Sequence, residues 1–166
     1  MKVLIVSDTH NKHGNLFKIF RKETFDAVIF LGDVEHGEEA VRKELENRHP
    51  LCPIKFVKGN CDDFSKADVS AVAAYDGVKV FMTHGHHFAV RFGRESLAEK
   101  ALEEGCSIAL FGHLHLPIKE EVLGITCFNP GSVGEPRNED KRATYGMLET
   151  ENGEIKKLIH KYVDEL

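Results

Sequence analysis

The sequence predicts a mixed α/β domain with two β-sheets and flanking helices. Three observations carry this. The first sixty residues alternate short β-branched apolar runs with segments of helical spacing, as parallel βαβ units do. An Asp76-Gly77 pair between two apolar runs then marks a hairpin. The C-terminal third reads mostly as strands parted by glycine turns, which adds antiparallel neighbours to the sheets.

In chain order, Lys2–Ser7 is an apolar run expected as a buried strand. Asn15 is placed to cap a helix through about Glu23, with Leu16, Ile19 and Phe20 on one face. Asp26–Leu31 reads as a second buried strand, and Gly37–Asn47, rich in Glu, Ala, Arg and Leu, as a helix. Ile54–Val57 is a third strand. Val69–Tyr75 and Val78–Thr83 form the hairpin arms. Ser96 is placed to cap a helix that runs to Glu104 and closes at Gly105, before a strand over Ile108–Phe111. Ile118–Val122, Ile125–Phe128, Thr144–Leu148 and Ile155–Val163 complete the strands, with turns at Leu123-Gly124 and Glu151-Asn152-Gly153.

A chain of 166 residues suits one domain, 1–166, with a core that needs no disulfide. The net charge of −5 excludes a global basic field that would draw nucleic acid or anionic membranes. The N-terminal apolar run is too short for a signal-peptide core, and no stretch approaches a membrane span. The C-terminal Val163-Asp164-Glu165-Leu166 only distantly matches a retention tag. Four cysteines without a C-x-x-C pair read as reduced thiols, so the expected location is the cytoplasm.

The chemistry lies at the strand ends. Five apolar strands end directly in polar residues: Ser7-Asp8-Thr9-His10, Gly32-Asp33, Gly59-Asn60-Cys61-Asp62, His84-Gly85-His86-His87 and Gly112-His113-Leu114-His115. Ligands of α/β sheets bind beyond the carboxyl ends of the strands, where such tips converge. Ten histidines strengthen the signal, since imidazole is the commonest metal ligand. His113 and His115, in a strand-like stretch, are expected to point the same way. Asp8, Asp33, Asn60 and at least four histidines form an N/O donor set for borderline divalent ions. One ion takes about four to six ligands, so seven donors suggest two ions sharing a carboxylate.

The order D-x-H, G-D, G-N-x-[DE], H-G-H, G-H-x-H, from Asp8 to His115, resembles the calcineurin-like metallophosphoesterase superfamily. It is most similar to the small YfcE-like phosphodiesterases, which the segment Asn129-Pro130-Gly131-Ser132 also resembles. The resemblance implies a four-layer αββα sandwich. It implies that Asp8, His10 and His115 hold a first metal, that Asn60, His84 and His113 hold a second, and that Asp33 bridges them. It implies two divalent ions, manganese foremost, with nickel, zinc, iron or cobalt as alternatives. A hydroxide between the ions would attack phosphorus in line with the leaving group. Asp33, Asn60 and His86 are the expected catalytic residues.

One position departs from the superfamily pattern, which has histidine where this chain has Cys61. A thiol is a poor substitute for an imidazolium, so diesters are favoured over the more highly charged monoesters. Cys61, Asp62, His86 and Arg137 are the candidate substrate contacts, and Asn129–Ser132 a candidate pocket rim. His13, His36, His49 and His160 are expected on the surface. The expected partner is a small phosphodiester, not a membrane or nucleic acid. The resemblance also admits a homo-oligomer. The rival reading is a weakly catalytic or non-catalytic scaffold on the same fold, as in a eukaryotic retromer subunit. A nuclease ranks below both, because the acidic chain has no basic stripe.

Overall fold

The computed structural model describes all residues, 1–166. Strand β1 (Lys2–Val6), helix α1 (Gly14–Lys22), β2 (Ala27–Phe30), α2 (Glu38–Arg48) and β3 (Ile54–Phe56) form the expected βαβαβ start. The hairpin follows as β4 (Ser70–Tyr75) and β5 (Val78–Thr83), then α3 (Glu95–Glu103) and β6 (Ile108–Leu110). Strands β7 (Pro117–Val122), β8 (Ile125–Pro130), β9 (Thr144–Glu151) and β10 (Glu154–Tyr162) close the chain. No helix is long and apolar enough to cross a membrane.

The strands form two five-stranded mixed sheets, in the orders β10-β9-β1-β2-β3 and β4-β5-β6-β8-β7. In the first, β1, β2 and β3 are parallel and β9 runs antiparallel to β1. In the second, β5, β6 and β8 are parallel, and hairpin partners lie at both edges.

Strand alternation explains the layering. In β1 and β2, Leu4, Val6, Val28 and Phe30 pack on one side with Leu16, Ile19 and Phe20 of α1 and Val41 and Leu45 of α2. Val3, Ile5, Ala27 and Ile29 face the other way and meet Val80, Met82, Ile108 and Leu110 of the second sheet. Phe81 and Ala109 then turn outward onto Leu97, Ala98 and Ala101 of α3. The layers are therefore helices, sheet, sheet, helix. Strands buried on both faces need continuous apolar runs, which is why the sequence located them.

Local details depart from expectation. Asn15 does not cap α1; the helix begins at Gly14 after His13, with no side-chain cap. The Asn15 amide instead donates to the Val133 carbonyl at 2.8 Å, a partner more than a hundred residues away. Ser96 lies inside the first turn of α3, which starts at Glu95 after Arg94. Gly37 precedes α2 as its N-cap. Three of the four histidines expected on the surface are half-buried. His49 shares a hydrogen bond with the Phe20 carbonyl at 2.7 Å, His160 stacks 4.3 Å from Phe128, and His13 packs against Phe17. His36 is exposed, as expected.

Candidate metal centre

The seven sequence-selected donors arrive from five strand tips. Asp8 and His10 follow β1, Asp33 follows β2 and Asn60 follows β3, all in the first sheet. His84 follows β5, and His113 and His115 follow β6, in the second. Backbone hydrogen bonds lash the tips together: Asp8 N–H to Gly32 O, His10 N–H to Asp33 O and Gly112 N–H to His84 O, each 3.0 Å. Two glycines allow the close approach. A Cβ at Gly59 would collide with the Asp33 carboxylate, and one at Gly112 with the Ser7 hydroxyl.

Asp8, His10, Asp33, His113 and His115 all adopt left-handed backbone, with φ between 45° and 69°. Non-glycine residues in this region cost about 1–3 kcal/mol each unless their surroundings impose it. Here the backbone cross-links impose it. His113 and His115 therefore do not share a strand face as expected: the left-handed turns send them to different partners.

On one side, His115 Nε2 lies 3.3 Å from Asp8 Oδ1 and 3.3 Å from His10 Nε2. On the other, His84 Nε2 lies 3.1 Å from Asn60 Oδ1, and the His113 ring is centred 5.2 Å from the His84 ring. Asp33 Oδ2 stands between, 3.6 Å from His10 Nε2 and 3.3 Å from His84 Nε2. Ligands about 2.1 Å from one ion sit about 3.0–3.4 Å apart. The separations of His115 from Asp8 and His10, and of His84 from Asn60 and Asp33, fall in that range. His113 is brought beside His84 only by its ring, and its Nε2 faces Arg91.

The imidazole orientations test whether a cation fits. His10 Nδ1 faces Glu35 Oε1 at 2.8 Å, His84 Nδ1 the Leu31 carbonyl at 2.7 Å, and His115 Nδ1 the Glu135 carbonyl at 2.6 Å. A carbonyl or carboxylate only accepts, so each Nδ1 carries a proton. The Nε2 atoms of His10 and His115 offer lone pairs to the centre, while that of His84, facing Asp33 and the Asn60 oxygen, carries a second proton in the absence of metal. Lone pairs of His10 and His115 thus face each other. Asp8 Oδ1 is fully buried and has no hydrogen-bond partner. Acceptors converging on acceptors, with an orphaned carboxylate oxygen among them, require a positive centre. The donor set fits divalent metal.

Electrostatics agree. Burial pushes the Asp8 carboxyl up, against the pull of His84 and His115. Burial acts on Asp33 too, but hydrogen bonds from His84 and the Cys61 N–H hold it well below the usual carboxylate range. Burial opposes a proton on His84, yet Asp33 and Asp8 outweigh it and raise the ring above its ordinary value. A metal ion would displace that proton, so binding releases it and strengthens as pH rises. Burial, His84 and Arg91 push His113 down to about 4, which leaves a neutral ring near pH 7.

The remaining expected contacts divide. Cys61 is exposed as a residue, but partial desolvation of its thiol and the neighbouring Asp33 carboxylate push it up to about 11. His86 is half-buried, centred 5.4 Å from His84, with Nδ1 unpartnered. Arg137 is exposed, and its backbone N–H donates to His115 O at 3.1 Å.

Asp62, expected at the substrate, is buried and faces away from any ligand. Its Oδ2 accepts from the Asp33 and Gly59 N–H groups, each at 2.8 Å, and its Oδ1 from Glu35 N–H at 2.6 Å. It ties the β3 tip to the β2 tip. Asp62→Asn places an amide N–H against a backbone N–H and costs about 1–3 kcal/mol. Metal affinity falls about 10–100-fold through the displaced Asp33. Thermal melting and metal titration check both; a variant with unchanged metal affinity would contradict the role.

Asn129–Ser132 lies beneath the site and forms no rim. Ser132 Oγ donates to Asp8 O at 2.8 Å, and the Asn129 amide donates to Gly112 O at 2.7 Å. Glu35, which orients His10, and Arg91, whose Nε approaches His113 Nε2 at 3.4 Å, were missed by sequence reasoning. Glu35 carried a faint signal, two residues past Asp33.

Over residues 1–153 the chain matches the family model described as the calcineurin-like phosphoesterase superfamily domain. The chain belongs to that superfamily. This calcineurin-like chain is 33% identical over 155 residues to a probable metallophosphoesterase, YsnB, of Bacillus subtilis (strain 168), covering 92% of this chain and 86% of that one. It is 31% identical over 171 residues to the phosphodiesterase YfcE of Escherichia coli (strain K12), covering 91% and 89%. Its fold is similar to the crystal structure of a predicted phosphoesterase from Streptococcus pneumoniae TIGR4, with TM-score 0.79 and 29% identity over 98% of this chain and 90% of that one. Superfamily membership and these relatives support phosphoesterase activity and the use of divalent metal.

Proposed function

We propose that this chain is a dinuclear metal-dependent phosphodiesterase. One observation carries the proposal: Asp33 Oδ2 stands within 3.6 Å of His10 Nε2 and 3.3 Å of His84 Nε2, with Asp8 and His115 beside the first and Asn60 beside the second. Asp8, His10 and His115 would hold one ion and Asn60, His84 and His113 the other, with Asp33 placed to serve both. A bound pair of divalent ions polarises the phosphoryl oxygens and lowers the pKa of water, supplying the nucleophile for in-line displacement. Manganese is the first choice, with nickel, zinc, iron and cobalt open to the same donors.

The chain's own residues set the geometry. Glu35, Leu31 and Glu135 fix three imidazoles through Nδ1, so little reorganisation is needed when substrate arrives. His86, beside His84 and His113, borders the position of a phosphoryl oxygen through its exposed ring edge, since its Nδ1 is buried. Cys61 and Arg137 flank the substrate. The Cys61 thiol, pushed up to about 11, is a weak acid. Esters with good leaving groups are therefore preferred. The complete donor set favours the enzyme over the scaffold reading. The four free thiols suit a reducing cytoplasm.

The test compares bis(p-nitrophenyl) phosphate with p-nitrophenyl phosphate at saturating Mn²⁺. A kcat/KM at least about tenfold higher on the diester is expected, equal to about 1.4 kcal/mol of transition-state discrimination. Failure on both substrates, or preference for the monoester, contradicts the proposal.

A further inference from the structure

A cavity of about 350 Å³ adjoins the candidate metal centre, lined by Arg91, Arg94, Leu114, Leu116, Ile118 and Arg137. Three of its lining residues neighbour the metal-centre residues. Leu114 lies between His113 and His115, Arg91 Nε approaches His113 Nε2 at 3.4 Å, and the Arg137 N–H donates to His115 O. This volume is at the small end of ligand pockets, room for one group rather than a polymer.

Its three arginines are not equivalent. Arg94 is committed, pairing with Glu120 and donating to the Val90 carbonyl at 3.2 Å. Arg42, Arg48 and Arg142, elsewhere in the chain, also pair with carboxylates. Arg91 and Arg137 are exposed, and neither guanidinium meets a carboxylate, although acidic residues outnumber basic ones in the chain. Between them Leu114, Leu116 and Ile118 present an apolar lining. A guanidinium fork matches phosphate oxygens, and its face stacks on flat rings.

We infer that this cavity binds one ester arm of the substrate, and that the arm joins a flat apolar body to a second anionic phosphate. A phosphorylated nucleoside is such an arm. The inference rests on the phosphodiesterase reading and adds the substrate class: small diesters carrying an additional phosphate. The apolar lining holds the body, while Arg91 and Arg137 take the extra charge, and the scissile phosphate remains at the metal centre.

The test uses two thymidine dinucleotides that share one internal diester, with and without a 5′-phosphate. Cleavage of that diester by the Mn²⁺-loaded enzyme is followed by chromatography. The phosphorylated dinucleotide is expected to show kcat/KM about tenfold higher or more, since guanidinium bonds to phosphate are charge-assisted. In the double variant Arg91→Gln/Arg137→Gln that ratio is expected to fall to near one. Bis(p-nitrophenyl) phosphate, assayed beside them with wild type, separates the two claims. If wild type cleaves the aryl diester but shows no preference between dinucleotides, or cleaves neither, the inference is overturned and the phosphodiesterase reading stands. A preference that persists in the double variant also overturns it. If wild type hydrolyses none of the three, the phosphodiesterase reading falls and takes the inference with it.

Discussion

Asp33→Asn is expected to lower kcat/KM on an aryl phosphodiester by about a thousandfold or more, a loss of about 4 kcal/mol of transition-state stabilisation. The reason is local. Asp33 Oδ1 accepts the Cys61 N–H at 2.8 Å, while Oδ2 faces His10 and His84. An asparagine that keeps the Cys61 bond must place its NH₂ where Oδ2 stood. That group points two protons at the Nε2 atoms of His10 and His84 and at the position of the shared cations. The side chain keeps its size and its Cys61 contact, but the amide loses the charge pairing with His84 that holds the Asp33 carboxyl low. In chelator the variant is therefore expected to fold and to melt somewhat below wild type. A variant with wild-type rate would show that Asp33 is not the shared ligand.

Metal dependence of stability gives the second large effect. Saturating Mn²⁺ is expected to raise the wild-type Tm by about 8–16 °C. An ion present at a thousand times its Kd stabilises by about 4 kcal/mol, and for a chain of this size each kcal/mol shifts Tm by about 2–4 °C. Asp8→Asn separates the metal's contribution from the fold's. Without metal, Asp8 holds an orphaned oxygen in a buried site 3.3 Å from His115 Nε2. An amide N–H there donates to that lone pair and removes a desolvated carboxylate, while the carbonyl oxygen can still accept the His113 N–H. In chelator the variant is expected to melt several degrees above wild type. In Mn²⁺ the order is expected to reverse, because the variant gains little. Differential scanning fluorimetry with and without chelator reads both. Equal gains from Mn²⁺ in the two proteins would remove Asp8 from the metal site.

The fold was legible where burial is two-sided. Continuous apolar runs at Lys2–Val6, Ala27–Phe30 and Val78–Thr83 have no other stable use than inner strands, and the Asp76-Gly77 turn fixed the hairpin. Helix starts were less legible, because a capping side chain can be recruited over long range. Asn15 is drawn to Val133 and leaves its own helix uncapped. The half-buried His49 and His160 escaped for the same reason, since Phe25 and Phe128 reach them only in the folded chain.

Within the site, each of the seven donors adjoined an apolar strand and so could be read from local pattern. What could not be read was the path of the loops. Left-handed backbone at Asp33, Glu35, His113 and His115 turns a strand-like G-H-x-H into two divergent imidazoles and brings Glu35 behind His10. It also lets Asp62 accept three backbone N–H groups where a substrate contact was expected. Arg91 belongs to no motif, and only the fold places it beside His113.

Anomalous diffraction from Mn²⁺-loaded crystals tests the central claim most directly. Two peaks about 3.5–4 Å apart are expected, one among Asp8, His10 and His115, the other among Asn60, His84 and His113, with the Asp33 carboxylate touching both. A single peak, or a pair that leaves Asp33 outside the coordination of either ion, would contradict the account.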